Sequence, residues 1–443
     1  MSGDRGDLNR TILAIALPAI VTNVATALFG LADMWLIGRL GDAAAQGGVE
    51  IGAKFTMTLL IVFNFLRSST VALTAQAAGR GAEDDQAATL TRGVAVALLV
   101  GAVLLCAWPV TVTYGLQIFD AAGGVSDQAR TYADIRYVGG VAWLVNCVLT
   151  GWLIGRRRMR TVLAVEVAAN LVHIALDVAF VLGFGWGVAG VATATLLSET
   201  LKLVALLAVV AREAPARRAL ALVRVPDTWR PAELGALFRL NRDLFLRTLL
   251  LMGATVLLTR SGAQQGPAVL AANAILYQLF MLQALILDGF ESSTQVLTGE
   301  SVGARDRARF GAQLRANLAW SGAGAVLIAL VFLVAGGAIA ASFSTDPAVV
   351  ATVRTYAVWA VVLPLAGTVS FIFDGVMIGA SWTRAMVISM AAALAGFVLM
   401  RWLATPLGNH GLWLAFSLFF VLRAAGQAAL LPGLVRRTFS PPG

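Results

Sequence analysis

The chain has 443 residues, 59% of them hydrophobic and 13% charged, and its mean hydropathy is +0.81. Soluble domains carry about a quarter charged residues, so this composition excludes a water-soluble globular protein and leaves a polytopic membrane protein. The formal net charge of +9 has no soluble domain to present it to a nucleic acid, and it is assigned to loops facing anionic headgroups instead.

From the N-terminus, Met1 to Arg10 is polar and runs directly into a long apolar segment, so no cleaved signal peptide is expected. Twelve spans follow, at 11–38, 51–78, 93–115, 131–155, 161–184, 188–211, 238–261, 268–297, 315–341, 350–379, 384–406 and 411–434. Their apolar runs are continuous and do not alternate, and several approach the roughly 20 residues that a helix needs to cross a bilayer. Helices are therefore the expected spanning element. The longest polar connection, 212–239, joins two halves.

The two halves repeat each other without a gap at an offset of 224 residues. Ser68, Ser69, Thr70, Leu73, Thr74 and Gly79 recur as Ser292, Ser293, Thr294, Leu297, Thr298 and Gly303. Arg130, Thr131, Tyr132 and Ala133 recur as Arg354, Thr355, Tyr356 and Ala357, and Gly151 and Gly155 recur as Gly375 and Gly379. An even number of spans per repeat brings both halves in from the same side. The expected architecture is an all-α polytopic membrane protein of twelve transmembrane helices in two six-helix lobes, related by a parallel internal repeat, with lobes at 1–220 and 221–443.

Most Lys and Arg outside the spans fall in the N-terminus, the even-to-odd connections and the C-terminus. The opposite connections hold only Arg39, Lys54, Arg130, Arg260 and Arg354, which predicts both termini on the cytoplasmic side. Cys106 and Cys147 both fall inside spans, so neither a disulfide framework nor a zinc site is expected.

An acid at mid-membrane costs about 2.5–3.5 kcal/mol on insertion scales, so each one is a candidate functional residue. Asn23, Thr26, Gly30 and Asp33 line one face of the first span. Glu166, Asn170, His173 and Asp177 form a second stripe on the fifth span. Asn146 and Thr150, with Thr193, Thr195 and Ser198, can close a polar pocket around them. Two uses of Asp33 and Asp177 stay open: exchange of a proton, or, both ionised, capture of a monovalent cation such as sodium. Glu199 and Lys202 are spaced for a pair within one helix. In the second half, Asp288, Glu291 and Asp374 read either as a cation-sensitive part of a substrate cavity or as ion-pair partners of Arg247 or Arg401, the latter being preferred. Asn23, Thr26, Tyr277 and Met281 are further cavity candidates, with Phe29, Met34, Trp35 and Phe280 as apolar lining.

Leu17 and Pro18, followed by Gly30 to Asp33 and Ile37 to Gly41, resemble the opening motif of the multidrug and toxic compound extrusion (MATE) transporters. The stretches 65–79, 240–247, 287–306 and 373–380 are similar to its DinF branch, and the resemblance covers essentially the whole chain. It implies two lobes around a V-shaped cavity, drug export driven by proton or sodium entry, Asp33 as the principal coupling residue with Asp177 as the fifth-span acid, Thr195 near a cation-site hydroxyl, and Pro18 as the hinge of the first helix. Many relatives carry Asn where this chain has His173, which weighs against sodium, since imidazole handles protons better than hard cations.

The expected function is a secondary active antiporter of the bacterial cytoplasmic membrane, without a cofactor, acting as a monomer among membrane lipids on small lipophilic or cationic drugs. A lipid or lipid-linked oligosaccharide flippase of the same superfamily is the alternative; it would need more free basic residues in its cavity. An integral-membrane enzyme lacks support: no HExxH, GxSxG or P-loop occurs.

Overall fold

The computed structural model describes the backbone of residues 2–39, 41–119 and 123–440, and the side chains of all of these except 2–5, 28–32, 34, 340 and 341. Sixteen α-helices and no strand occur among the described residues. In chain order they are α1 (Ser2–Gly38), α2 (Ala43–Ile61), α3 (Phe65–Gly79), α4 (Glu83–Gln117), α5 (Gly124–Val138), α6 (Gly140–Gly155), α7 (Met159–Asp177) and α8 (Gly187–Val210). Then come α9 (Ala214–Leu222), α10 (Pro231–Ala263), α11 (Pro267–Gly303), α12 (Arg307–Ala341), α13 (Pro347–Tyr356), α14 (Val358–Gly379), α15 (Thr383–Leu403) and α16 (Gly408–Phe439).

Eleven segments are long and apolar enough to cross a membrane, and α5 with α6, bent by 48°, makes a twelfth when the pair is one span. The expected span count is therefore met, with two local differences. The spans expected at 131–155 and 350–379 are each broken, α5 from α6 at Gly139 and α13 from α14 at Ala357. The short first pieces, α5 and α13, carry the repeated Arg-Thr-Tyr, followed by Ala133 within α5 and by Ala357 at the break after α13.

The 224-residue repeat is written into the backbone. The turn after α3 places Gly81 at φ 69°, and its counterpart after α11 places Arg305 at φ 53°. The turns after α6 and α14 place Arg157 at φ 60° and Ser381 at φ 59°. Each turn closes with the same long hydrogen bond: Ala82 N to Ala77 O at 3.0 Å, Asp306 N to Ser301 O at 2.9 Å, Arg158 N to Leu153 O at 2.9 Å and Trp382 N to Met377 O at 2.7 Å. These are Schellman-type ends, in which one left-handed residue lets the last helical carbonyls find donors.

The repeated small residues mark the closest helix crossings. A Cβ on Gly151 would stand 2.6 Å from Arg67 O, and one on Gly375 would stand 2.6 Å from Glu291 O. Gly155 and Gly379 are pressed in the same way against Thr74 and Thr298. Without a hydrophobic drive between helices in lipid, such close backbone approach is a main source of association.

Two compact units form. One comprises Val21–Ala78 and Ala82–Phe238; the other comprises Met1–Ile20, Gly79–Gly81 and Arg239–Gly443. The beginning of α1 thus packs with the second half of the chain. Gly289 lies against Ala16 O and the Ile20 side chain, and Trp320 Nε1 donates to Asn9 Oδ1 at 3.1 Å. The connection through Phe238 belongs to the first unit, held there by ion pairs described below. The second unit has an aromatic interior in which Phe280, Phe397, Trp413, Phe419 and Phe420 pack around Phe416.

Replacing Gly151 or Gly375 by Ala should lower stability by about 1–3 kcal/mol, the usual cost of overpacking. Thermal unfolding in detergent is expected to show a lower Tm for each, with a larger drop for Val at either position.

Candidate functional site

In the first unit, α7 and α8 pack along one another, and the later part of α1 supplies an acid to their shared face. The 3 and 4 spacing of Asn170, His173 and Asp177 puts them on one side of α7. His173 Nε2 lies 2.8 Å from Asp33 Oδ1 and 3.0 Å from Asp177 Oδ2. Its other nitrogen, Nδ1, lies 3.2 Å from Ser198 Oγ on α8. A six-residue π-helix, Val178–Gly183, begins immediately after Asp177.

The hydrogen bonds limit where protons can be. Ser198 Oγ donates to Thr195 O at 3.0 Å, so its contact with Nδ1 is satisfied by an Nδ1–H donor. Nε2 then has two options: it donates to ionised carboxylates as part of an imidazolium, or it accepts from one protonated carboxyl. In both, one proton is shared among Asp33, His173 and Asp177.

Access is unequal. The Asp33 side chain is 21% exposed, against 8% for His173 and 3% for Asp177. Asp177 Oδ1 is buried with no hydrogen-bond partner. One ligand atom from each of the three residues lies within 4.8 Å of the others, a set able to surround a small cation. With nitrogen among the donors it fits a hard cation less well than an all-oxygen set.

Other expected site residues are placed elsewhere. Asn170 lies between the triad and Glu166, and its buried Nδ2 has no partner. Thr195 Oγ1 donates to Val191 O at 2.8 Å, and Tyr132 of α5 lies beside Thr195 and Asp33. Asn146 does not reach the triad; its Nδ2 donates to Glu199 Oε2 at 2.9 Å and to Glu199 O at 3.0 Å. Lys202 bonds Glu166 across α7 and α8 at 2.8 Å, a bridge between helices, while Glu199 of its own helix also acts on its charge. Thr26, exposed, donates back to Thr22 O at 2.9 Å, and Asn23 is half-buried.

In the second unit Asp374 is an ion-pair partner, the preferred of its two readings, and not part of a substrate cavity. Asp374 is fully buried, and it accepts from Arg247 at 2.6 Å, Arg423 at 2.5 Å and Gln427 at 2.7 Å. Two guanidinium groups against one carboxylate leave it no surface for a substrate. Glu291 Oε1 stands 3.9 Å from Arg247, and Asp288 is half-buried within the field of the same arginine. The ion pair expected for Arg247 is thus present, while Arg401 instead donates to Gln264 Oε1 at 2.9 Å. Tyr277 bonds Thr255 at 3.2 Å and packs with Phe280 and Phe416, Met281 packs on the same interior, and Phe280 is buried within it. Phe280 belongs to the core of the unit, and Tyr277 and Met281 are partly buried against it. Trp35 is exposed, with Arg39 stacked over its ring. The side chains of Phe29 and Met34 lie outside the described residues.

Sequence reasoning missed Tyr132, Gln427 and the pairing of Arg423 with Asp374. A signal existed for Tyr132, which sits in the repeated Arg-Thr-Tyr-Ala segment. For Arg423 the offset of 224 leads to Glu199, the opposite charge, so the repeat masked it.

The model of the MatE family matches residues 18–179 and 244–402, one segment in each half. DNA damage-inducible protein F of Escherichia coli (strain K12) is 36% identical over 422 residues, covering 95% of this chain and 92% of that protein. A probable multidrug resistance protein NorM of Deinococcus radiodurans is 30% identical over 302 residues, covering 67% of this chain and 64% of its own length. Among solved structures, a MATE in the bent conformation superposes with a TM-score of 0.85 at 19% identity, covering 98% of each chain. A eukaryotic MATE transporter gives 0.83 at 16% identity, covering 98% of this chain and 99% of that one. Those structures share the fold, and with two family segments on a twelve-span helical chain and full-length similarity to the E. coli protein, the chain belongs to the MatE family, on the DinF branch of the multidrug and toxic compound extrusion transporters.

Proposed function

We propose that this protein is a secondary active antiporter that exports small lipophilic, often cationic compounds in exchange for protons by alternating access. It acts as a monomer among the lipids of the bacterial cytoplasmic membrane, with both termini on the cytoplasmic side, and it needs no cofactor. The observation that carries the reading is His173 Nε2 standing 2.8 Å from Asp33 and 3.0 Å from Asp177, with Asp33 the most exposed of the three.

An incoming proton and a cationic substrate compete for the same negative charge. With one proton in the triad, the site carries a net charge of −1, and a cation near Asp33 is attracted. A second proton neutralises the site, and the attraction is lost. Because His173 joins both carboxylates, a proton arriving at Asp33 is felt at once by Asp177 and, through Nδ1, by Ser198 on α8. The chemical event at one side chain thereby becomes a rearrangement of contacts among three helices. Each charge crossing 100 mV releases about 2.3 kcal/mol, and a pH gradient adds to it. We place the bend that accompanies exchange at Pro18, which lacks the amide that would bond Ala14 O. It sits just before Ile20, where α1 passes from one compact unit to the other.

Sodium coupling is a second reading, supported by the 4.8 Å grouping of the three ligand atoms. The flippase alternative has less support. Arg247 and Arg423 are taken up by Asp374, and Lys202 by Glu166, so these charges are not available to a pyrophosphate.

Efflux of an amphiphilic cation from proteoliposomes, under separately imposed proton and sodium gradients, tests the reading. Proton drive alone should move substrate in the wild type and fall to the level of empty vesicles in Asp33→Asn. Sodium drive in the wild type would favour the second reading, and gradient-independent movement untouched by Asp33→Asn would overturn both.

His173→Asn gives a further outcome. It removes the group that links the two carboxylates and adds an oxygen donor, so proton-driven efflux should drop sharply while sodium dependence appears or grows. An unchanged proton-driven rate in this variant would show that the imidazole plays no part in coupling.

A further inference from the structure

The connection between the two halves is not a slack linker. Glu213 accepts from Arg156 at 3.0 Å and from Arg158 at 3.1 Å. Arg218 bonds Asp84 at 2.8 Å, Thr91 Oγ1 donates to Ala219 O at 2.9 Å, and Arg92 donates to Thr228 O at 2.8 Å and pairs with Glu233 at 3.1 Å. The short helix α9 is thus strapped to the beginning of α4, with Pro215, Ala216 and Ala219 as its buried face.

What α9 presents outward is unusual for a segment in water. Leu220 is 80% exposed, and Val223, just past the helix end, is 51% exposed. Arg217 lies three residues before Leu220 on the same face of α9, and Arg224 follows in the turn just past the helix end. Arg212, Arg217 and Arg224 are exposed and form no ion pair among the described residues, while the neighbouring Arg218 and Arg230 are paired. An apolar residue bracketed by unpaired arginines at the end of a membrane-spanning bundle matches the boundary between acyl chains and anionic headgroups. Leucine enters the former, and guanidinium groups extend to phosphates in the latter.

The geometry points to α9 as an interfacial anchor: its free face lies in the membrane surface, with Leu220 and Val223 in the acyl boundary and Arg212, Arg217 and Arg224 on anionic phospholipid headgroups. The occupant is lipid, because the exposed charge is of one sign and the exposed bulk is apolar. The ion pairs to Arg156, Arg158, Asp84 and Arg92 transmit that anchoring to α4 and α6 of the first unit. This inference does not depend on the coupling ion.

Nitroxide labels test it on the full-length protein in vesicles of phosphatidylglycerol and phosphatidylcholine, after Cys106→Ser and Cys147→Ala. One label replaces Leu220 and another replaces exposed Asp227. At position 220, dissolved oxygen should relax the label more strongly than a water-soluble nickel chelate, with the reverse at 227. Nickel dominance at both positions overturns the proposal, since the face then lies in water or in an aqueous contact with another molecule. In Arg217→Gln/Arg224→Gln, the label at 220 should shift toward nickel, as should the arginine-containing protein in pure phosphatidylcholine. A label at 220 that ignores both changes overturns the headgroup half of the proposal.

Discussion

Charge placed where lipid offers no water has to be paired, and the interior of each unit is organised by that requirement. In the first unit, Asp33, His173 and Asp177 satisfy one another, and Lys202 bridges Glu166. In the second, Asp374 draws Arg247 and Arg423 onto one carboxylate. Removing one partner of a buried pair strands the other, at a cost of about 3–5 kcal/mol, so these clusters fix which helices lie together. The first cluster differs in joining an imidazole to two carboxylates, groups that ordinarily titrate, and in having a member, Asp33, that is 21% exposed. The second is saturated by guanidinium groups, which do not give up theirs.

The internal repeat explains why a frame common to both halves can hold such different interiors. Gly151 and Gly375 meet the carbonyls of Arg67 and Glu291, and the turns at Arg157 and Ser381 share one conformation. What the frame demands is small residues at crossings and a left-handed turn after them. It makes no demand on charge: the offset carries Arg67 onto Glu291 and Glu199 onto Arg423. Backbone geometry has been held while the electrostatics diverged, which leaves a histidine between two carboxylates in one half and a carboxylate held by two guanidinium groups in the other.

Much of this was legible beforehand. Spans could be read because a bilayer forces long apolar helices, and Asp33 and Asp177 could be singled out because acids in spans are costly. The breaks at Gly139 and Ala357 were not legible, since an apolar run looks the same whether straight or bent. Asn146 was grouped with the triad but bonds Glu199, and the bridge from Lys202 to Glu166 was not foreseen, because periodicity reports faces of a single helix and not which face of a neighbour it meets. Asp374 could be read as an ion-pair partner of Arg247, whereas the packing of Tyr277 and Met281 on the aromatic interior could not be read from spacing. Burial is a property of the packed unit.

The sequence by itself determined the solvent, the number of spans, the duplication and the identity of the acids on α1 and α7. Each follows from composition, length or spacing along one chain. Tertiary structure alone decided that His173 would stand between Asp33 and Asp177, residues 140 and 4 positions away from it. It also decided that Ser198 would take the other ring nitrogen, and that the connecting segment would be strapped to α4. Those outcomes depend on how helices rotate about their own axes when glycines let them close, and that rotation is set by packing among helices, not by any one segment.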